Sequence, residues 1–239
     1  MSYPPLTSDQ RVISYLTLRK AIGLIGVLLP FVLAGVYMLL ASKIIFQSSV
    51  SAYYYTSMRN VLVGGLCAIG VFLFAYRGYG WQDNLCTNAA GVFAVGVAFC
   101  PTTPPDPSRA ATVLGYLHPA FAGLLFSMLA IIALFLFTKT DSPGARPAEK
   151  RKRDIVYHAC GCVIVACLLL VPVEAFVLGE AVARYQPLFW LEAVAIAAFG
   201  VAWLVKGQAI LKDRGTPPGQ ADAGTGPAGS SRVLAGQRR

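Results

Sequence analysis

The sequence predicts an all-α fold: a polytopic transmembrane helix bundle of six spans, with the N-terminus and C-terminus both cytoplasmic. Three observations predict it. Apolar residues make up 56% of the 239 and charged residues 13%, with a mean hydropathy of +0.61. The apolar residues are gathered into six runs without a polar helical face, unlike the amphipathic stripes of a soluble domain. Basic residues are divided unevenly between the segments that join these runs, as the orientation rule for membrane helices requires.

The first span is Leu18 to Ala41. It includes 22 uncharged residues between Lys20 and Lys43, longer than the roughly 7–15 apolar residues of a secretory signal, and no small-x-small cleavage site ends it. It is therefore expected to be retained. The second span is Met58 to Tyr76. The third, Leu85 to Cys100, has 16 residues, fewer than the about 20 that cross a ~30 Å hydrocarbon core. It needs Asn84 or Pro101 at the interface, or a locally thinned bilayer, and without it the charged segments fall on incompatible sides. Leu117 to Phe137, Tyr157 to Leu178 and Leu188 to Val205 complete the set. Residues 1–16 and the Gly-, Pro- and Ala-rich residues 208–239 flank this 17–207 domain as expected disordered cytoplasmic segments.

Thirteen basic residues between Arg11 and Arg214, the run Lys150, Arg151, Lys152 and Arg153 among them, fall on one side of the six-span frame. Lys43, Arg59, Arg109 and Arg184 fall on the other. That bias makes the side of the termini cytoplasmic. Aromatic residues mark the same boundaries, with Tyr53, Tyr54, Tyr55, Tyr116, Tyr185 and Trp190 outside and Tyr76, Tyr79, Trp81 and Trp203 inside. The net charge of +9 has no aromatic interleaving or nucleic-acid fold signature beside it, so nucleic acid is not an expected partner. The expected partners of the Lys150 to Arg153 run are the lipid bilayer and its anionic headgroups.

Small residues should bring the helices together, because lipid tails are as apolar as the helices themselves. Gly23 and Gly26 with Ala34 and Gly35, Gly64 and Gly65 with Ala68, Gly91 with Ala94 and Ala98, and Ala195 with Ala198 and Ala202 form such stripes. They serve packing within the chain or a homo-oligomer. Pro30, Pro119 and Pro172 remove backbone donors and should kink or start helices.

Most charges at span ends match the helix dipoles: Asp83 as an N-cap of the third span, and Arg77, Lys139 and Lys206 at C-termini. Arg59 and Glu174 stand at the ends that disfavour them. A lone charge at membrane depth costs roughly 2.5–3.5 kcal/mol on insertion scales, so an Arg59–Glu174 pair or a shared network is expected. Glu192 lies about one turn into the sixth span, and His118 precedes Pro119 at the start of the fourth. Arg59, Asn60, His118, Glu174 and Glu192 thus form a candidate ligand-binding set at the outer rim, with Ser51, Tyr54 and Asp106 nearby. If the chain is catalytic, His118 and Glu192 are the candidate acid and base.

No metal or cofactor is expected. His158, Cys160 and Cys162 have a suggestive spacing, but on a helix His158 and Cys162 share a face that Cys160 does not. The cysteines give no disulfide framework. No phosphate-binding glycine loop, G-x-S-x-G elbow or H-E-x-x-H motif is present.

Ser51-Ala-Tyr-Tyr-Tyr-Thr56, Met58-Arg59-Asn60-Val-Leu-Val-Gly64, Phe72-Leu-Phe-Ala-Tyr-Arg-Gly78-Tyr79 and, after His118, Phe135-Leu-Phe-Thr-Lys139 resemble a group of uncharacterised bacterial multispan membrane proteins. The resemblance covers roughly residues 51–139 and implies an inner-membrane location without naming an activity. More distantly, a Ser before an aromatic pair and a His in a later span is similar to the superfamily of alkaline ceramidases and adiponectin-receptor-like proteins. Their zinc site uses three histidines. This chain has two, His118 and His158, at opposite expected faces, so the likeness comes without the zinc histidines.

Three functions remain open from the sequence. The first is a membrane protein that binds or transports a small polar or lipid-headgroup ligand at an outward-facing polar pocket. The others are a membrane-embedded lipid-modifying enzyme and a structural or accessory subunit.

Overall fold

Each apolar run becomes a helix because an unbroken ladder of internal hydrogen bonds is the cheapest way to hide backbone polar groups among apolar side chains. In the computed structural model, which describes residues 8–78, 80–139 and 148–211, six long helices follow in order. They are α1 (Ser8–Ala41), α2 (Arg59–Ala75), α3 (Trp81–Phe99), α4 (Arg109–Ile131), α5 (Ala148–Val173) and α6 (Pro187–Lys206). No strand occurs among the described residues. Tyr79, Arg146 and the tail from Asp213 onward lie outside them.

Four of these helices, counted with the turns that extend them, are long and apolar enough to cross a membrane: Tyr15–Ala41, Arg109–Leu136, Ala148–Leu178 and Pro187–Lys206. The 17-residue α2 is apolar but shorter. The 19-residue α3 carries Gln82, Asp83, Asn84, Thr87 and Asn88 in its first two turns, which lower its hydropathy.

Several helices extend beyond the expected apolar spans. Helix α4 starts at Arg109, where the Ser108 hydroxyl accepts from the Ala111 amide at 3.2 Å as an N-cap. His118 therefore lies well inside the helix, with Pro119 behind it, and not at its start. Helix α5 starts at Ala148, so Lys150 to Arg153 are helical, and α1 reaches back to Ser8. The N-cap of α3 is Gly80, while Asp83 sits in the first turn. It still suits the positive end of the dipole there. Pro172 removes the donor that would bond the Leu168 carbonyl, and the ladder then widens into a π turn over Glu174–Leu178. A second π turn, Ile132–Leu136, ends α4.

The helices form a ring. Each packs on the next in sequence, and α6 closes against α1. Glycine permits that closure. A Cβ on Gly200 would lie 2.5 Å from the Val27 amide nitrogen, and one on Gly23 would lie 2.7 Å from the Leu204 nitrogen. The α2–α3 seam repeats the device with Gly70 and Gly91, each of whose missing Cβ atoms would crowd the other's carbonyl. Gly35 and Gly64 face open space, so they do not belong to a seam. Large apolar side chains such as Leu24, Phe31, Leu39, Leu169 and Phe176 are exposed on the outside of the ring, as a lipid-facing wall requires.

Both ends of the ring are closed. At one end the α1–α2 connector folds over the mouth: Tyr53 is fully buried, edge-on to Tyr37 at 5.6 Å, and Phe46 packs on Phe189 at 5.1 Å. At the other end Phe137 meets Trp203 at 5.1 Å and Tyr157 at 5.3 Å, and Tyr76 meets Trp203 at 4.9 Å.

Candidate functional site

Within the ring, below the folded connector, lies a narrow cavity of about 40 Å³, room for about one water molecule. Its walls are apolar side chains from five helices, among them Leu29, Leu66, Val97, Leu125 and Phe199. Among the described residues, Glu192 is the one charged residue lining it, and Ser51 of the connector is its polar neighbour. The Glu192 carboxylate accepts a hydrogen bond from the Ser51 amide at 3.2 Å. Ser51 opens the 3₁₀ turn Ser51–Tyr55, so a carboxylate from α6 caps an orphan amide on a different element. Pro187 at the first turn of α6 sets the helix start that places Glu192 one turn further in.

The other residues expected at this rim are distributed around it. Arg59 and Asn60 are exposed at the start of α2. The Arg59 guanidinium lies 4.2 Å over the Tyr54 ring and donates to the Tyr54 hydroxyl. His118 is buried, 6% exposed, and its Nδ1–H donates to the Cys100 carbonyl at 2.6 Å. This bond satisfies an end carbonyl of α3. Glu174 opens the π turn beyond Pro172, in a stretch where Phe176 is 88% exposed. No ion pair joins Arg59 to Glu174. Neither Arg59, Asn60, His118 nor Glu174 lines the Glu192 cavity. Nearby, Tyr55 donates to the Thr102 carbonyl and ties the α1–α2 connector to the α3–α4 connector.

The opposite end of the ring holds a second cavity, which span-by-span reading missed. Arg19 of α1, Lys139 after the π turn of α4, Lys150 and Arg153 of α5, and Lys206 of α6 line a space of about 120 Å³ with Phe137 and Tyr157. Asp83 pairs with Lys139 at 2.5 Å, and Asp154 pairs with Lys150 one helical turn away. Lys150 also donates to the Thr138 carbonyl at 3.2 Å, and Arg19 Nη1 to the Lys206 carbonyl at 3.3 Å. Cations thus cap two helix C-termini, where the dipole favours them. The sequence held one signal of this cluster, the crowding of basic residues on a single side. Which of them converge depends on α6 closing onto α1.

Among the described residues, no group of three or more His, Cys, Asp or Glu side chains is placed to hold a metal ion. Over the described residues the fold is all-helical, with four helices long and apolar enough to cross a lipid bilayer. No family model matches the chain, and neither a curated protein nor a solved structure is detectably similar to it.

Proposed function

We propose that the chain is a six-span integral membrane protein of a bacterial inner membrane. Both termini are cytoplasmic, and the Lys150 to Arg153 run lies against anionic headgroups. Its function is to bind, and in a transport cycle to release, a small polar ligand or a lipid headgroup at the Glu192 cavity. One observation carries this reading: among the described residues lining an otherwise largely apolar internal cavity stands a single carboxylate, Glu192, hydrogen-bonded to the connector at Ser51. A cationic or hydrogen-bond-donating group would sit against Glu192, and a ligand larger than one water molecule requires the apolar walls to part around it. Arg59 and Asn60 are exposed at the start of α2, outside that cavity.

A structural role is the second reading, favoured by the Ser51–Glu192 and His118–Cys100 hydrogen bonds, each of which ties a chain segment between helices to a neighbouring helix. The enzymatic reading, with His118 and Glu192 as acid and base, has less support because His118 does not line the Glu192 cavity.

Native mass spectrometry of the purified protein after incubation with a lipid extract separates these readings. Glu192→Gln keeps an acceptor oxygen for the Ser51 amide and removes only the charge. The binding reading expects an adduct on the wild type that is lost or exchanged in Glu192→Gln, with an unchanged melting temperature. Identical spectra for the two proteins would contradict it.

A further inference from the structure

We propose that the face of α1 turned away from the ring, from Phe31 to Ile44, binds one glycerophospholipid with an anionic headgroup, an acyl chain lying in its groove and the headgroup against Lys43.

Shape is the first argument. Phe31, Gly35, Leu39 and Ser42 recur at spacings of four, four and three residues, so they share one stripe of the helix. The stripe opens into a groove of about 780 Å³, within the ~300–1,000 Å³ of small-molecule sites. Gly35 keeps its middle empty, since a Cβ there would meet no atom within 4 Å. Phe31 and Leu39 are exposed walls on either side of that gap. The second argument is length. From Phe31 to Ala41 the helix rises ~15 Å, half of a ~30 Å hydrocarbon core, which matches the acyl chain of one leaflet. The apolar span ends at Ala41, so Lys43 stands at headgroup level.

The third argument is the end of the groove. Ser42 takes a left-handed conformation, φ 52°, and the amides of Ser42 and Lys43 donate back to the Leu39 and Met38 carbonyls, both at 3.4 Å. This is a Schellman-type helix end, whose second residue past the cap usually packs an apolar side chain on the last turn. Here that residue is Lys43, and the turn brings it and Ile44 into the lining of the groove. Among the described residues, Lys43 is the one charged side chain lining the groove, and no carboxylate joins it there. An apolar trough with a cation at its interfacial end complements a lipid with an anionic head.

A second copy of the chain fits this face less well. Two copies in one membrane share an orientation, so a two-fold contact along the stripe would bring both Lys43 ammonium groups to one depth without a carboxylate in either lining. The groove shares no lining residue with the Glu192 cavity.

The test uses the full chain in detergent micelles doped with phosphatidylglycerol, which is anionic, or with zwitterionic phosphatidylcholine of the same acyl chains, read by native mass spectrometry. Wild-type protein is expected to retain one phosphatidylglycerol in preference to phosphatidylcholine. Lys43→Gln changes an exposed side chain beyond the helix end, and should weaken that retention by about tenfold and erase the preference. Gly35→Leu fills the groove from an open helical position and should weaken retention of both lipids. Arg109→Gln, which removes another exposed cation, and Gly64→Leu, which adds a side chain at another open position, should leave retention unchanged. Equal retention of the two lipids by the wild type would overturn the proposal. So would an equal loss in Arg109→Gln, full retention in Gly35→Leu, or a lipid-free dimer that Gly35→Leu dissociates. Glu192→Gln should leave this lipid in place, so the site and the Glu192 reading can fail independently.

Discussion

Asp83 and Lys139 meet at 2.5 Å across 56 residues of sequence, joining the first turn of α3 to the end of α4. Asp83 is 3% exposed in its side chain and Lys139 is 37% exposed. Removing the lysine would take a cation away from a buried carboxylate, and breaking such a pair costs ~3–5 kcal/mol when both partners are fully buried. Because Lys139 is partly solvated, Lys139→Gln is expected to destabilise by roughly 1–2 kcal/mol. The double variant Asp83→Asn with Lys139→Gln should recover part of that loss in a detergent unfolding titration. Equal stabilities for the wild type, the single variant and the double variant would show that the pair contributes nothing.

Closure of the ring at α1 and α6 makes a second expectation. Gly200→Ala places a methyl group 2.5 Å from the Val27 nitrogen, and overpacking a tight seam costs about 1–3 kcal/mol. Gly64→Ala meets open space and gains up to about 1 kcal/mol of helix propensity. Thermal unfolding of the two variants should therefore move in opposite directions.

The Glu192–Ser51 hydrogen bond predicts a split between two substitutions of one residue. Glu192→Ala leaves the Ser51 amide without its acceptor, and an unsatisfied buried donor costs about 1–3 kcal/mol. Glu192→Gln keeps the acceptor. Amide hydrogen exchange at Ser51 should rise in the alanine variant and stay slow in the glutamine variant.

Repulsion among Arg19, Lys139, Lys150, Arg153 and Lys206 should make stability rise with salt. Raising ionic strength to ~0.15 M shortens the screening length to about 8 Å, and the wild-type melting temperature should increase. Lys206→Gln should flatten that dependence. A melting temperature indifferent to salt in both proteins would mean that the pocket is already neutralised.

The helical character of the chain was legible because the apolar runs leave no polar face for solvent. Helix starts were less so. Arg109 to Tyr116 and Ala148 to Val156 contain charged or small residues that hydropathy assigns to loops, yet the Ser108 cap and the helix-forming Lys150 to Arg153 run extend α4 and α5 outward. Among the residues expected at the outer rim, Glu192 was recognised by its intramembrane position, and the structure gives it a partner in Ser51. Arg59 finds Tyr54, five residues away, where charge compensation suggested Glu174, because a cation can settle on an aromatic face as well as on a carboxylate. The basic cavity needs four helix ends to converge, and no local pattern records which ends will meet.

The six-span frame on which both cavities depend is tested most directly by single-cysteine labelling in intact cells, using a cysteine-free background and a membrane-impermeant maleimide at Ser57, Gln82, Lys152 and Arg184. The account predicts that Ser57 and Arg184 react from outside, and that Gln82 and Lys152 react only after permeabilisation. Labelling of Gln82 from outside together with Ser57 would leave α2 and α3 on one face of the membrane and contradict the six-span ring.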